Sequence, residues 1–177
     1  MGLFDQLSSV LQQYANSTGT GQVNPQVGEH FDQVAQAAPS STLAEGLAAA
    51  FRSNNTPAFG QMLGGMFSQS NGEQKAGILN QLLASGGPGL LSQLGGAGGG
   101  LAALLGAASQ LTAQQASQVS PEMVQQLAAH AEKSDPSLID KASAFYSQHP
   151  ALIKTLGGAA LTIAMAKMAQ QHQHAQG

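Results

Sequence analysis

Residues Leu152–Ala169 read LIKTLGGAALTIAMAKMA, eighteen residues with two charges, Lys154 and Lys167. At helical spacing, Leu152, Leu156, Ala159 and Ile163 mark one face. Leu161, Met165 and Met168 mark a second, and Ile153, Ala160 and Ala164 a third. A helix that is apolar all round must be covered all round. The stretch therefore predicts the central helix of a bundle, with a lipid-facing segment as the alternative. Its length lies just inside the spanning range, and both lysines could snorkel. Lys154 nevertheless lies within it, and Gly157, Gly158 and several alanines dilute its hydrophobicity, which favours a buried core helix.

Outward from this stretch the pattern stays helical. Seven prolines, at 25, 39, 57, 88, 121, 136 and 150, each precede an apolar pattern of helical period. That is where a first-turn proline belongs, because its missing N–H is not needed there. No alternating, β-branched run suggests a strand. A first helix is expected over Leu3–Tyr14, with Leu3, Leu7, Val10, Leu11 and Tyr14 on one face. A second is expected from about Pro25 to Ala37, with Val27, Phe31 and Val34 inward, and a third after Pro39, where Ser40, Ser41 or Thr42 can cap, burying Leu43, Leu47 and Phe51. A fourth starts near Thr56-Pro57. A fifth opens at Ser70 or Asn71, with Asn71 and Gln74 spaced as a capping pair, and stops at Gly86-Gly87. Thr112, Ser120-Pro121 and Ser134-Asp135-Pro136 start three more, and His149-Pro150 opens the apolar helix. The fold class is all-α: a compact bundle of about eight to ten short helices around the apolar C-terminal helix. One helical domain is expected over 1–177, with a softer division near 86–100 and a polar, fraying tail over 170–177.

The middle is unusual. Between Lys75 and Glu122 lie 46 uncharged residues, and Gly86 to Gly106 holds nine of the 22 glycines. Two short apolar helices, Pro88–Leu94 and Gly100–Ser109, are expected here, joined by GGAGGG. The leucines at 90, 91, 94, 101, 104 and 105 favour buried helices over a flexible connector.

Charged residues make up 8% of the chain against a usual quarter, and 23 glutamines outnumber the charged side chains. So little surface charge opposes association weakly, which favours contact between copies. A net charge of −3 provides no field to attract nucleic acid. There is no cysteine, hence no disulfide or thiol chemistry. MGLFDQLSSVL lacks the basic start of a secretory leader, which makes a cytoplasmic location the expectation, and Gln6 breaks the myristoylation pattern.

MGLFDQL at the start and GEQKAGILNQLLASGGPGLLSQL in the middle resemble the YidB-like family of small bacterial proteins. The run SPEMVQQLAAHAEKSDPSLIDKASAFYSQHPALIKTLGG is similar to C-terminal segments that accompany such a middle. The resemblance covers about half the chain and implies a bacterial source and a helical fold. It implies no activity and no functional residues.

Candidate chemistry is sparse. Glu29, His30 and Asp32 cluster, but a metal site needs ligands converging from elsewhere, and His-Glu-x-x-His is absent. His130 with Glu132, and His172 with His174, read the same way. Gly98, Gly100 and Ala103 fit a dinucleotide-binding spacing without the strand it requires. LTAQQASQVSPEMVQQL has a helix–turn–helix outline, yet Lys133 is its second helix's sole cation, so nucleic acid is not an expected partner. No Ser–His–acid grouping is legible. The expectation is therefore a non-enzymatic protein without cofactor or metal. It self-associates as a homo-oligomer through low-charge Ala/Gly/Met-rich helix surfaces that include Leu101, Leu104, Leu105, Ala160, Ala164, Met165 and Met168. The alternatives are a membrane-peripheral protein inserting an apolar helix, and a helical binder of an apolar small molecule.

Overall fold

A computed structural model of the chain describes residues 2–15, 23–97 and 110–175. The protein is all-α, and no strand occurs among the described residues. The helices, in order, are α1 (Leu3–Ala15), α2 (Val27–Ala37), α3 (Ser40–Arg52), α4 (Phe59–Gln69), α5 (Gly72–Ala97), α6 (Ala113–Ser117), α7 (Pro121–Ser134), α8 (Leu138–Ser147), α9 (Pro150–Ile153) and α10 (Gly158–Ala175). A 3-10 turn over Lys154–Leu156 joins the last two. By its packing the chain forms two compact units. Unit 1 is Met1–Pro57 with Ser143–Gly177, and unit 2 is Ala58–Ala142.

In unit 1, α10 packs against α3, α1 and α2. Its interior is built from the expected stripes: Leu7, Leu11 and Tyr14 on α1, Val27, Phe31 and Val34 on α2, and Leu43, Leu47 and Phe51 on α3. Most of α10 is buried, with Ala160, Leu161, Thr162, Ala164, Met165, Ala166, Met168 and Ala169 all inside. Ala159, Lys167, Gln170 and His174 mark its exposed strip. Helix α3 comes close enough that a Cβ on Gly46 would lie 2.9 Å from the Ala164 carbonyl oxygen and 3.0 Å from Met168 Cγ. The small residue thus sets the approach of the two helices.

The apolar stretch that suggested a single central helix is two helices. Gly157 adopts φ 93°, ψ 169°, a region open in practice only to glycine. It ends the 3-10 turn, and its carbonyl accepts from Leu161 N–H at 3.2 Å to begin α10. A side chain on Gly158 would collide with Val23, which covers the start of the helix. The break leaves no helix long and apolar enough to cross a membrane among the described residues. The tail differs from expectation as well: α10 continues to Ala175 because Gln171 and His172 are half-buried and His172 is held by α1.

In unit 2, α7 packs on α4 and α5, and α6 packs on α5. Phe59, Met62, Leu63, Met66 and Phe67 of α4 are buried, as are Ile78, Leu79 and Leu82 of α5 and Val124, Leu127 and Ala128 of α7. Three expected starts are capped as the sequence suggests. Gln74 N–H donates to Asn71 Oδ1 at 2.9 Å while Asn71 N–H donates to Gln74 Oε1 at 3.0 Å. Thr112 and Gln115 form the same reciprocal box, and Met123 N–H donates to Ser120 Oγ at 3.3 Å ahead of Pro121. Asn80 bridges back to Leu111, accepting from its N–H at 2.8 Å and donating to its carbonyl at 3.2 Å.

Other expected boundaries move. Helix α5 does not stop at Gly86-Gly87 but runs through Pro88 to Ala97. A proline inside a helix removes one backbone hydrogen bond and costs about 3 kcal/mol locally, yet the ladder resumes beyond it. The expected Pro88–Leu94 helix is thus part of α5, and the expected Gly100–Ser109 helix lies outside the described residues. No hydroxyl caps α3; Pro39 precedes it with extended backbone. Thr56, expected at the start of the fourth helix, instead donates its hydroxyl to the Ala50 carbonyl at 2.6 Å and closes α3.

Candidate functional site

Of the residues expected to make contacts between copies, Ala160, Ala164, Met165 and Met168 are all at most 2% exposed. They fill the interior of unit 1, so a second copy cannot reach them while this packing holds. Leu101, Leu104 and Leu105 lie outside the described residues. The candidate metal cluster on α2 does not converge. His30 Nδ1 pairs with the Tyr14 hydroxyl at 2.7 Å, and Asp32 accepts from Lys154 Nζ at 2.7 Å. No group of three His, Asp or Glu side chains that could hold a metal occurs among the described residues. Burial pushes the Tyr14 phenol above its ordinary value, which keeps it in the neutral form that pairs with His30. The helix–turn–helix outline is present as α6, a turn and α7. Its second helix turns Val124, Leu127, Ala128 and Ala131 inward, leaving Glu122, Gln126, His130 and Lys133 on its outer side. Glu122 and the half-buried Glu132 against one lysine do not suit a phosphate backbone.

The feature that sequence spacing does not announce is in unit 1. A cavity of about 310 Å³ opens between α1, α2, the first turn of α3 and the end of α10. Leu7 and Leu11 form its α1 wall, Val34 and Ala37 its α2 wall, and Met168 its α10 wall. The polar contribution comes from Thr42, Gln171 and His172. A second cavity of about 210 Å³ shares Leu7, Val34 and Ala37 with the first and is edged by Gln6, Gln33 and Gln36. The two flank the same α1–α2 contact. The walls follow from the stripes: α1 and α2 turn apolar positions toward α10, and the small Ala37 and Ala38 leave unfilled the space a larger side chain would take.

At the edge of this region Ser8 Oγ lies 3.0 Å from His172 Nε2, although the two residues are 164 positions apart. A hydroxyl and an imidazole at this distance have the spacing of a nucleophile and its base. Ser8 sits in the second turn of α1, however, where the surrounding N–H groups are spent on the helix ladder and offer an oxyanion nothing. The pair does clip α1 to α10 beside the cavity. Neither half of this site was legible in the sequence, because Ser8 reads as one polar helix position among many and His172 as part of a polar tail.

No protein-family profile, curated protein sequence or solved structure matches this chain.

Proposed function

We propose that unit 1 is a non-enzymatic helical binding domain that takes a small apolar molecule into the cavity between α1, α2, α3 and α10. The observation that supports this reading is the cavity itself. Its volume falls at the lower end of the range for small-molecule sites, and it has apolar walls with a few convergent polar groups. Self-association through the C-terminal helix is the weaker reading, because the α10 residues it would use are spent on internal packing.

Ala37 makes the test clean. It is exposed at the end of α2 and lines both cavities, so Ala37→Phe projects a ring into the space without displacing a buried side chain. Binding of the apolar fluorophore naphthalene, whose ten carbons suit this volume, to the full chain is expected to weaken at least about tenfold in Ala37→Phe, with helix content unchanged. Equal binding by both proteins, or none by either, overturns the proposal.

A further inference from the structure

We infer that the ligand of this cavity is an uncharged amphipath of about ten non-hydrogen atoms, seated with its hydrogen-bonding head at the Thr42–Gln171–His172 end. The inference rests on the binding role proposed above and names the class of molecule bound. Size comes first. At about 30 Å³ for each water-sized unit, some 310 Å³ accommodates a molecule of that order.

Charge comes second. No Asp, Glu, Lys or Arg is among the described residues lining either cavity. Of the two acids on α2, Asp32 pairs with Lys154, and Glu29 is exposed and lines neither cavity. Moving a carboxylate or an ammonium from water into such walls leaves it without a counter-charge, a cost that a neutral head does not incur.

Placement comes third. Met168 of α10 lies against Gly46 of α3. Thr42 is one turn before Gly46, and Gln171 and His172 are one turn beyond Met168, so the polar groups gather at one end of the α3–α10 contact. The Thr42 hydroxyl and the Gln171 amide offer donors and acceptors to a hydroxyl or carbonyl head. Ser8 fixes the imbalance further by holding the His172 ring from the α1 side. The tail then lies along Leu7, Leu11 and Val34.

The test uses the full chain at pH 8, where a carboxylate is ionised, and follows NMR shifts as octan-1-ol, octanoate, octylammonium and octane are titrated. Octan-1-ol is expected to bind at least about tenfold more tightly than either ion. In Thr42→Val, which keeps the side-chain shape, octan-1-ol is expected to lose several-fold in affinity while octane is unchanged. If octanoate or octylammonium binds as tightly as octan-1-ol, the uncharged class is wrong although the cavity binds. If Thr42→Val leaves octan-1-ol unaffected, the head is not seated there. If none of the four binds, the binding role itself fails, and this inference with it.

Discussion

Two neighbouring glycines of α4 provide a matched test of how closely helices approach in unit 2. Gly64 and Gly65 share a helix interior, so an alanine at either gains about the same 1 kcal/mol of helix propensity. Their surroundings differ. A Cβ on Gly65 meets nothing within 4 Å. On Gly64 it would lie 2.6 Å from Gln125 Cγ and 3.0 Å from the Pro121 carbonyl oxygen, both on α7. Gln125 can swing part of the way, but the Pro121 carbonyl is helix backbone and yields only if α7 moves. Overpacking of this kind costs about 1–3 kcal/mol. Gly65→Ala should therefore stabilise the protein by about 1 kcal/mol, and Gly64→Ala should fall about 1–3 kcal/mol below it, the propensity term cancelling in the comparison. For a unit of this size the gap corresponds to a midpoint difference of at least about 4 °C. Thermal and urea unfolding followed by far-ultraviolet circular dichroism would read it. Adding Gln125→Ala to Gly64→Ala should recover part of the loss, since one of the two close contacts disappears. A Gly64→Ala protein as stable as Gly65→Ala would refute the claim that α4 and α7 touch through glycine.

Gly157→Ala should destabilise unit 1 by about 1–3 kcal/mol in the same unfolding assay, because the Gly157 conformation is strained for any side chain. Thr112→Ala should cost about 1 kcal/mol through loss of the Thr112–Gln115 box, measurable as faster amide exchange in α6. The Asp135 carboxyl is held down at about 2, chiefly by the hydrogen bond from Lys141 and then by that from Ser137. Its folded value lies below its unfolded one, so the stability it contributes is present above about pH 4 and is lost as pH falls toward 2. Asp135→Asn should flatten the acid limb of an unfolding titration in that window; an unchanged limb would mean that the Lys141 pairing does not persist in solution.

The all-α class was written into the chain. Apolar residues recur at helical spacing from Leu7 to Met168, and the Asn71–Gln74, Thr112–Gln115 and Ser120–Pro121 signals mark helix starts by chemistry local to four residues. Such features need no tertiary partner, because each cap satisfies donors of its own first turn. The inward stripes of α1, α2 and α3 were legible for the same reason: they follow from the period of the helix. What periodicity cannot supply is which stripes meet. The apolar run Leu152–Ala169 reads as one helix until the backbone at Gly157 and the approach of Val23 to Gly158 divide it. Pro88 reads as a boundary, yet α5 passes through it, because a propensity penalty at one residue does not by itself end a long ladder. The burial of Ala160, Ala164, Met165 and Met168 depends on α3 and α1 arriving from the other end of the chain. So does the Ser8–His172 contact, and so does the cavity. Only the tertiary structure decided these, since a space between helices belongs to no segment of sequence: it is what remains when side chains chosen on separate helices fail to fill the gap between them.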